Sequence, residues 1–229
     1  MTKTIAFVLY PGLTPLDLVG PLQVMAGMAT VDPSFDVVVV GSDLAPVETD
    51  TLVKLTPTHT FDQVTEPFAV IVPGGTAGAF AALADESLLS WIRHVARTAE
   101  IVGSVCGGSL ILGAAGLLHG RPATTHWASR DLLRKFGAMP VTERWVEDGP
   151  VITAAGVSAG IDMALHLVAR LAGEQVARTV QVMIEYDPEP PLGGIDWNSD
   201  VPEAIEPQVQ AMMELGLADH PELLARLTS

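Results

Sequence analysis

The chain has 229 residues, 48% of them hydrophobic and 17% charged, with 27 acidic against 12 basic side chains and a formal net charge of −15. This is too apolar for a disordered chain and long enough for one α/β domain with a large core, and the negative charge, which repels phosphate backbones, argues against a nucleic-acid binder. A single cysteine excludes an intrachain disulfide, so nothing marks an oxidising compartment.

Ile5 to Tyr10 is too short for a signal-peptide core, and the long apolar segment from Val151 to Ala172 is interrupted by Asp162, His166 and Arg170. The expectation is a cytoplasmic protein with neither signal peptide nor membrane span.

Thr4 to Tyr10 reads as a buried first strand closed by Pro11-Gly12. Thr14 suits a helix N-cap and Pro15 the first helical position, so a helix is expected to about Met28, bent or restarted at Pro21. Asp17 falls in its first turn, where a carboxylate simply complements the helix dipole. It also falls on the edge of a parallel sheet where ligands bind, so a functional role stays open. Phe35 to Gly41 is a second buried strand, Pro46 to Thr58 a short hairpin or edge strands, and Phe68 to Val72 a third core strand. That strand runs into Pro73-Gly74-Gly75-Thr76, either an ordinary turn or a loop whose N–H groups face developing negative charge.

Glu86 to Thr98 is an amphipathic helix, and it leads into the stretch that organises the chain, Ile101-Val-Gly-Ser-Val-Cys106-Gly-Gly-Ser-Leu-Ile-Leu. A buried strand here turns directly into a helix that runs to Gly116, with Cys106 at the corner and Gly103, Gly107 and Gly108 around it. Small residues permit so sharp a turn, and the N–H groups of the helix start are expected to lower the thiol pKa from about 8.5. The plainer reading is a small buried hydrophobe, but the glycine-flanked junction favours a nucleophile.

Further on, Arg121 to Thr125 precedes a helix from His126-Trp127 to about Phe136, closed by Gly137. His126 is a semi-buried or capping histidine, or a catalytic base. Arg144 to Glu147 and Val151 to Thr153 form a hairpin around Asp148-Gly149-Pro150, where proline argues against a two-residue turn. Gly156 to Ala172 is a largely buried helix carrying Asp162 and His166 one turn apart, read as a structural pair and not a metal site. Helices are expected from Glu174 to Tyr186, Gln208 to Leu215 and Pro221 to Leu227, with an irregular, proline-rich excursion from Asp187 to Pro207. The fold class is therefore α/β, a mostly parallel, doubly wound, flavodoxin-like sheet flanked by helices, with the cysteine at a strand-helix elbow.

These residues resemble the ThiJ/PfpI superfamily, the cysteine-elbow relatives of class I glutamine amidotransferases. Pro15-Leu-Asp17-Leu-Val-Gly-Pro21, Val72-Pro-Gly-Gly-Thr76, Ser104-Val-Cys106, Leu112-Gly-Ala-Ala-Gly-Leu-Leu118 and Ala123-Thr-Thr-His-Trp127 are similar to the isocyanide (isonitrile) hydratase branch. Ala159-Gly-Ile-Asp162 and Gln181-Val-Met-Ile-Glu-Tyr186 are similar to it too. The resemblance covers about residues 4 to 190. It suggests a ThiJ/PfpI-like domain over 1–190 and a proline-rich segment with a helical extension over 191–229, packed on the same domain. One departure stands out, since the hydratases carry threonine after the nucleophile and this chain carries Gly107.

The resemblance implies Cys106 as nucleophile and Asp17 as its acid-base partner, with Gly75, Thr76, Gly107 and His126 around the substrate and no metal or cofactor. The implied reaction adds the thiolate to a small apolar isocyanide and hydrolyses the thioimidate to an N-substituted formamide. The resemblance and the apolar composition together imply a homodimer. Competing readings are a cysteine redox sensor, a small-molecule sensor of the kind found in AraC-type regulators, and a glyoxalase- or deglycase-like enzyme.

Overall fold

The computed structural model describes residues 2–197, 199–202 and 205–229. A central sheet is built from β1 (Lys3–Val8), β2 (Phe35–Gly41), β5 (His59–Thr60), β6 (Ala69–Val72), β7 (Ile101–Val105), β10 (Trp145–Asp148) and β11 (Val151–Ala154), in the order β10-β11-β7-β6-β1-β2-β5. Every neighbouring pair is parallel except β10 with β11. Strands β6, β7 and β11 are short apolar runs such as Ala69-Val-Ile-Val72, buried along their whole length, as a sheet covered on both faces requires. The small pairs β3 (Val47–Glu48) with β4 (Lys54–Leu55), and β8 (Pro122–Ala123) with β9 (Met139–Pro140), lie outside this sheet.

Helices cover the sheet in two groups. On one side α1 (Pro15–Val31), α5 (Ala159–Ala172) and α6 (Glu174–Met183) pack on one another. On the other, α4 (Gly108–Ala114) contacts α2 (Ala77–Ala82), α3 (Glu86–Val95) and a 3-10 helix over Trp127–Phe136. Beyond them, α7 (Ile205–Gly216) rests on α2 and α8 (Pro221–Thr228) on the 3-10 helix. Among the described residues no helix is long and apolar enough to cross a membrane.

The register aligns the strand ends that matter. Ile71 pairs with both Phe7 and Gly103, and Val105 with Ala154. The loops after β1, β6, β7 and β11 therefore leave the sheet on one edge, where open α/β sheets bind ligands. Helix α1 runs unbroken through Pro21, so the expected bend or restart does not end it, although the proline cannot donate to the carbonyl of Asp17. Close packing holds this part of α1 in place: a β-carbon on Gly160 of α5 would stand 3.4 Å from the Pro21 ring.

The hairpin corrects one expectation. Asp148 pairs directly with Val151, leaving Gly149-Pro150 as a two-residue link. Gly149 has φ +63°, and a glycine of positive φ followed by a residue of negative φ suits the first and second positions of a type II′ turn, so proline is accommodated. Helix α2 has no counterpart among the expected elements. The proline-rich excursion over 187–207 includes residues 198, 203 and 204, which lie outside the described residues, and α7 begins at Ile205.

Candidate active site

Cys106 stands between β7 and α4 with φ +55°, a left-handed conformation uncommon for a residue with a β-carbon. Both of its peptide groups are pinned. Its N–H donates to the carbonyls of Ala154 and Ala155 at 3.1 Å, while its carbonyl accepts from the Thr125 hydroxyl at 2.7 Å and the Ser109 hydroxyl at 3.2 Å. The neighbouring glycines let the chain pass. A β-carbon on Gly108 would lie 2.1 Å from the Val72 carbonyl oxygen, and one on Gly74 would lie 2.9 Å from both Asp17 Oδ2 and Cys106 Cβ, distances that no side chain fits.

Asp17, in the first turn of α1, has no exposed surface, and Cys106 is 7% exposed. Burial pushes the Asp17 carboxyl up to about 7, and the charge of Asp50 adds to the shift. The Cys106 thiol and the Gly74 N–H lie on the carboxylate and oppose that shift, without reaching the geometry of full hydrogen bonds. Burial also pushes the Cys106 thiol well up, followed by the charge of Asp17, with only the Gly107 N–H drawing it down. The expected lowering of the thiol pKa is thus corrected: dehydration and a neighbouring carboxylate outweigh the start of a two-turn helix. The pair is best described as two coupled groups that lose their first proton near neutrality.

Tyr10, two residues past the end of β1, is buried close to Asp17 and Cys106, its hydroxyl donating to the Pro73 carbonyl at 2.9 Å. Thr14, the residue before α1, does not cap the helix with its side chain; its hydroxyl donates to Asp50 at 2.5 Å. The sequence reading gave Tyr10 and Asp50 no role, took Thr14 only as a helix cap, and named Gly74 only within the glycine doublet; their signals are a tyrosine ending an apolar strand and lone polar residues in loops.

Next to Cys106 is a cavity of about 180 Å3, lined in part by Gly75, Thr76, Gly107 and His126. The structure therefore brings these four expected residues together with the thiol, while Asp17 is absent from the cavity lining and lies against Cys106. His126 caps the 3-10 helix, its Nδ1 accepting weakly from the Ala128 N–H at 3.4 Å. Burial and the charge of Arg130 push its pKa down, so it lines the cavity as a neutral ring. The remaining wall comes largely from apolar residues, including Phe80, Leu110 and Val157, and from α7, to which the sequence reading gave no role.

Asp162 and His166 are occupied elsewhere. Asp162 pairs with Arg144 and accepts from the Tyr186 hydroxyl, and His166 meets Glu147 at 2.9 Å. Among the described residues no group of three potential metal-ligating side chains occurs.

A parallel sheet carrying a strained cysteine where one strand turns into a helix, with a buried acid against its sulfur, defines a cysteine-elbow α/β protein. Residues 3–170 match the DJ-1/PfpI family, and the chain belongs to that family. It is 47% identical over 192 residues to the isonitrile hydratase of Pseudomonas putida, a match covering 84% of this chain and 82% of that protein. A ThiJ/PfpI family protein from Pseudomonas syringae superposes with a TM-score of 0.85 at 38% identity, covering all of this chain and 92% of the other. A shorter match, 40% identical over 102 residues, links 44% of this chain to 30% of the HTH-type transcriptional regulator CdhR of Pseudomonas aeruginosa.

The raised Asp17 pKa carries a stability cost. A carboxyl with an unfolded value near 3.8 and a native value of about 7 binds more protons in the native state between those pH values, so stability falls as pH rises through that window. The loss amounts to roughly 4 kcal/mol as an order of magnitude. Asp17→Asn is expected to remove this slope, so that its stability relative to wild type improves steadily from pH 4 to pH 8. Urea unfolding at several pH values checks this, and parallel pH profiles for the two proteins would contradict it.

Proposed function

We propose that the protein hydrates isocyanides to N-substituted formamides, with Cys106 as nucleophile and Asp17 as the group that gives and retrieves the proton. One observation carries the reading: a thiol and a carboxyl coupled near neutrality beside a small, largely apolar cavity. Such a site suits a substrate that is small, weakly polar and needs a proton as it is attacked. The similarity to the Pseudomonas putida isonitrile hydratase supports the same conclusion.

In the singly protonated pair the proton moves between sulfur and carboxylate. When it is on Asp17, the thiolate adds to the terminal isocyanide carbon and Asp17 protonates that carbon, forming a C–S bond and a thioimidate. Water then adds to the C=N bond, its oxygen to carbon and a proton to nitrogen, with Asp17 as the base that moves the proton. Cleavage of the C–S bond releases the formamide, and one proton returns to the pair. Overall one water is consumed and no electrons are transferred. The Gly107 N–H is a backbone donor that favours the charged sulfur, and Gly75, Thr76 and His126 shape the space around the adduct.

A redox sensor is less well supported. Such sensors rely on an exposed, low-pKa thiolate, whereas Cys106 is buried with its thiol pushed up.

We also propose a two-fold homodimer. Exposed apolar residues on α1 (Leu16 and Val31) and α6 (Val182 and Met183) occupy the same helical layer, and two-fold pairs are the commonest closed assembly. Sedimentation equilibrium at micromolar concentration should show a dimer, and a single monomeric species would count against it.

Cys106→Ala should abolish formamide production from cyclohexyl isocyanide while leaving the circular dichroism of the fold unchanged; near-full activity would rule out covalent catalysis. For the wild type, kcat/KM should rise with pH through about 7, the value to which Asp17 is raised, because the doubly protonated pair has no nucleophile. Asp17→Asn should both slow turnover and lose that limb.

Gly107 offers a gain-of-function test. Its φ of −63° and ψ of −8° are ordinary helical values, and an added β-carbon would meet Ala79 Cβ at 3.5 Å and the Gly75 oxygen at 3.6 Å, normal contacts. The backbone and the β-carbon of Gly107→Thr are therefore accommodated, and its hydroxyl, bonding the sulfur or the adduct in the transition state, should raise turnover about tenfold or more. A correctly folded variant with an unchanged or lower rate would show that the sulfur already has an equivalent partner.

A further inference from the structure

Helix α7 lies beyond the 3–170 stretch that matches the family, yet it supplies Ile205, Gln208, Val209 and Met212 to the cavity beside Cys106. These four positions follow the i, i+3, i+4, i+7 spacing of one helical stripe. All the other lining residues lie within the matched stretch. The thiol and its acid partner thus come from the part of the chain common to the family, while one whole wall comes from outside it.

The residues that hold α7 in place are different from those that face the cavity. Met213 and Leu217 are buried in the core. Gly216 brings the helix so close to α2 that an added β-carbon would stand 2.2 Å from the Ala77 carbonyl oxygen and 2.8 Å from Phe80 Cβ. Ile205, Val209 and Met212 are only partly buried, and Gln208 is exposed, placing it at the rim. A side chain on the cavity stripe can therefore change without removing the contacts that anchor the helix.

Size is the property such a wall controls. An apolar cavity of roughly 150 Å3 takes one benzene ring, and this one, at about 180 Å3, leaves space for a single six-membered ring. We propose that α7 is the specificity wall of this site, with Val209 and Met212 limiting the group carried by the substrate to about one ring. The proposal takes its substrates from the isocyanide reading, while its geometry is independent of it.

The test uses the full chain and two readouts. Wild type, Met212→Ala and Val209→Ala are compared on cyclohexyl and 2-naphthyl isocyanide. In parallel, the rate of Cys106 modification is measured with methyl and with naphthylmethyl methanethiosulfonate, reagents in which the thiolate forms an S–S bond and expels methanesulfinate. Opening the wall should raise the naphthyl-to-cyclohexyl ratio of kcat/KM by about tenfold or more, the scale set by a few methylenes in an apolar pocket. It should raise the naphthylmethyl-to-methyl modification ratio in the same direction. Met212→Trp should do the reverse, slowing cyclohexyl isocyanide more than methyl modification, which a merely loosened helix would not do. Wild-type modification ratios in the folded variants would overturn the proposal. If the wild type hydrates neither isocyanide, the substrate reading fails, and the modification ratios still decide whether α7 is the wall.

Discussion

A carboxyl group with no exposed surface is pressed against an almost equally buried thiol, and the surrounding structure keeps it there. Water would restore Asp17 to an ordinary carboxylate, so its pKa of about 7 depends on its complete burial among neighbours that include Gly74, Tyr10 and Cys106. The same dehydration denies the thiol its usual route to ionisation. Neither group alone is a convenient reagent at neutral pH, but in the proposed reaction the pair, holding one proton between them, would serve as both nucleophile and acid. Desolvation thus disfavours two separate charges and favours one mobile proton.

Maintaining that contact constrains the backbone around it. The left-handed turn at Cys106 carries the sulfur out of β7, and four hydrogen bonds to its peptide groups offset the strain. Gly74 and Gly108 are there because the loop after β6 and the start of α4 approach too closely for any β-carbon. Chemistry and packing meet in these few residues, whereas the outer wall of the cavity is set by a helix that the reacting groups do not need.

Much of this was legible in the residues. Short apolar runs ending in glycine-rich turns specify buried parallel strands, and such strands deliver their following loops to one sheet edge, which is why Asp17 and Cys106 could be placed on the same edge without a structure, while their pairing followed from the family resemblance. The direction of the thiol shift was not legible, since a helix start is visible in sequence but the burial that overrides it is a property of the assembled fold. The doublet Gly74-Gly75 was recognisable as a close-approach turn, but which glycine meets the carboxylate depends on register. Helix α7 was legible as a helix and not as a cavity wall, because its amphipathic stripe looks the same whether it faces a core or a substrate. The Gly149-Pro150 link was misread for a narrower reason: the positive φ at the glycine leaves proline in the second turn position, where its fixed φ suits the backbone.

The central claim is that Asp17 retains a proton near neutrality because burial beside Cys106 outweighs the thiol and N–H contacts that favour its charge. Infrared difference spectroscopy of the isotope-labelled protein, titrated from pH 5 to 9 with Asp17→Asn as the blank, observes that proton directly. A protonated aspartic acid signal that disappears with a midpoint near 7, and is missing from the Asn variant, is the predicted result. A carboxylate fully ionised already at pH 5 would contradict the account.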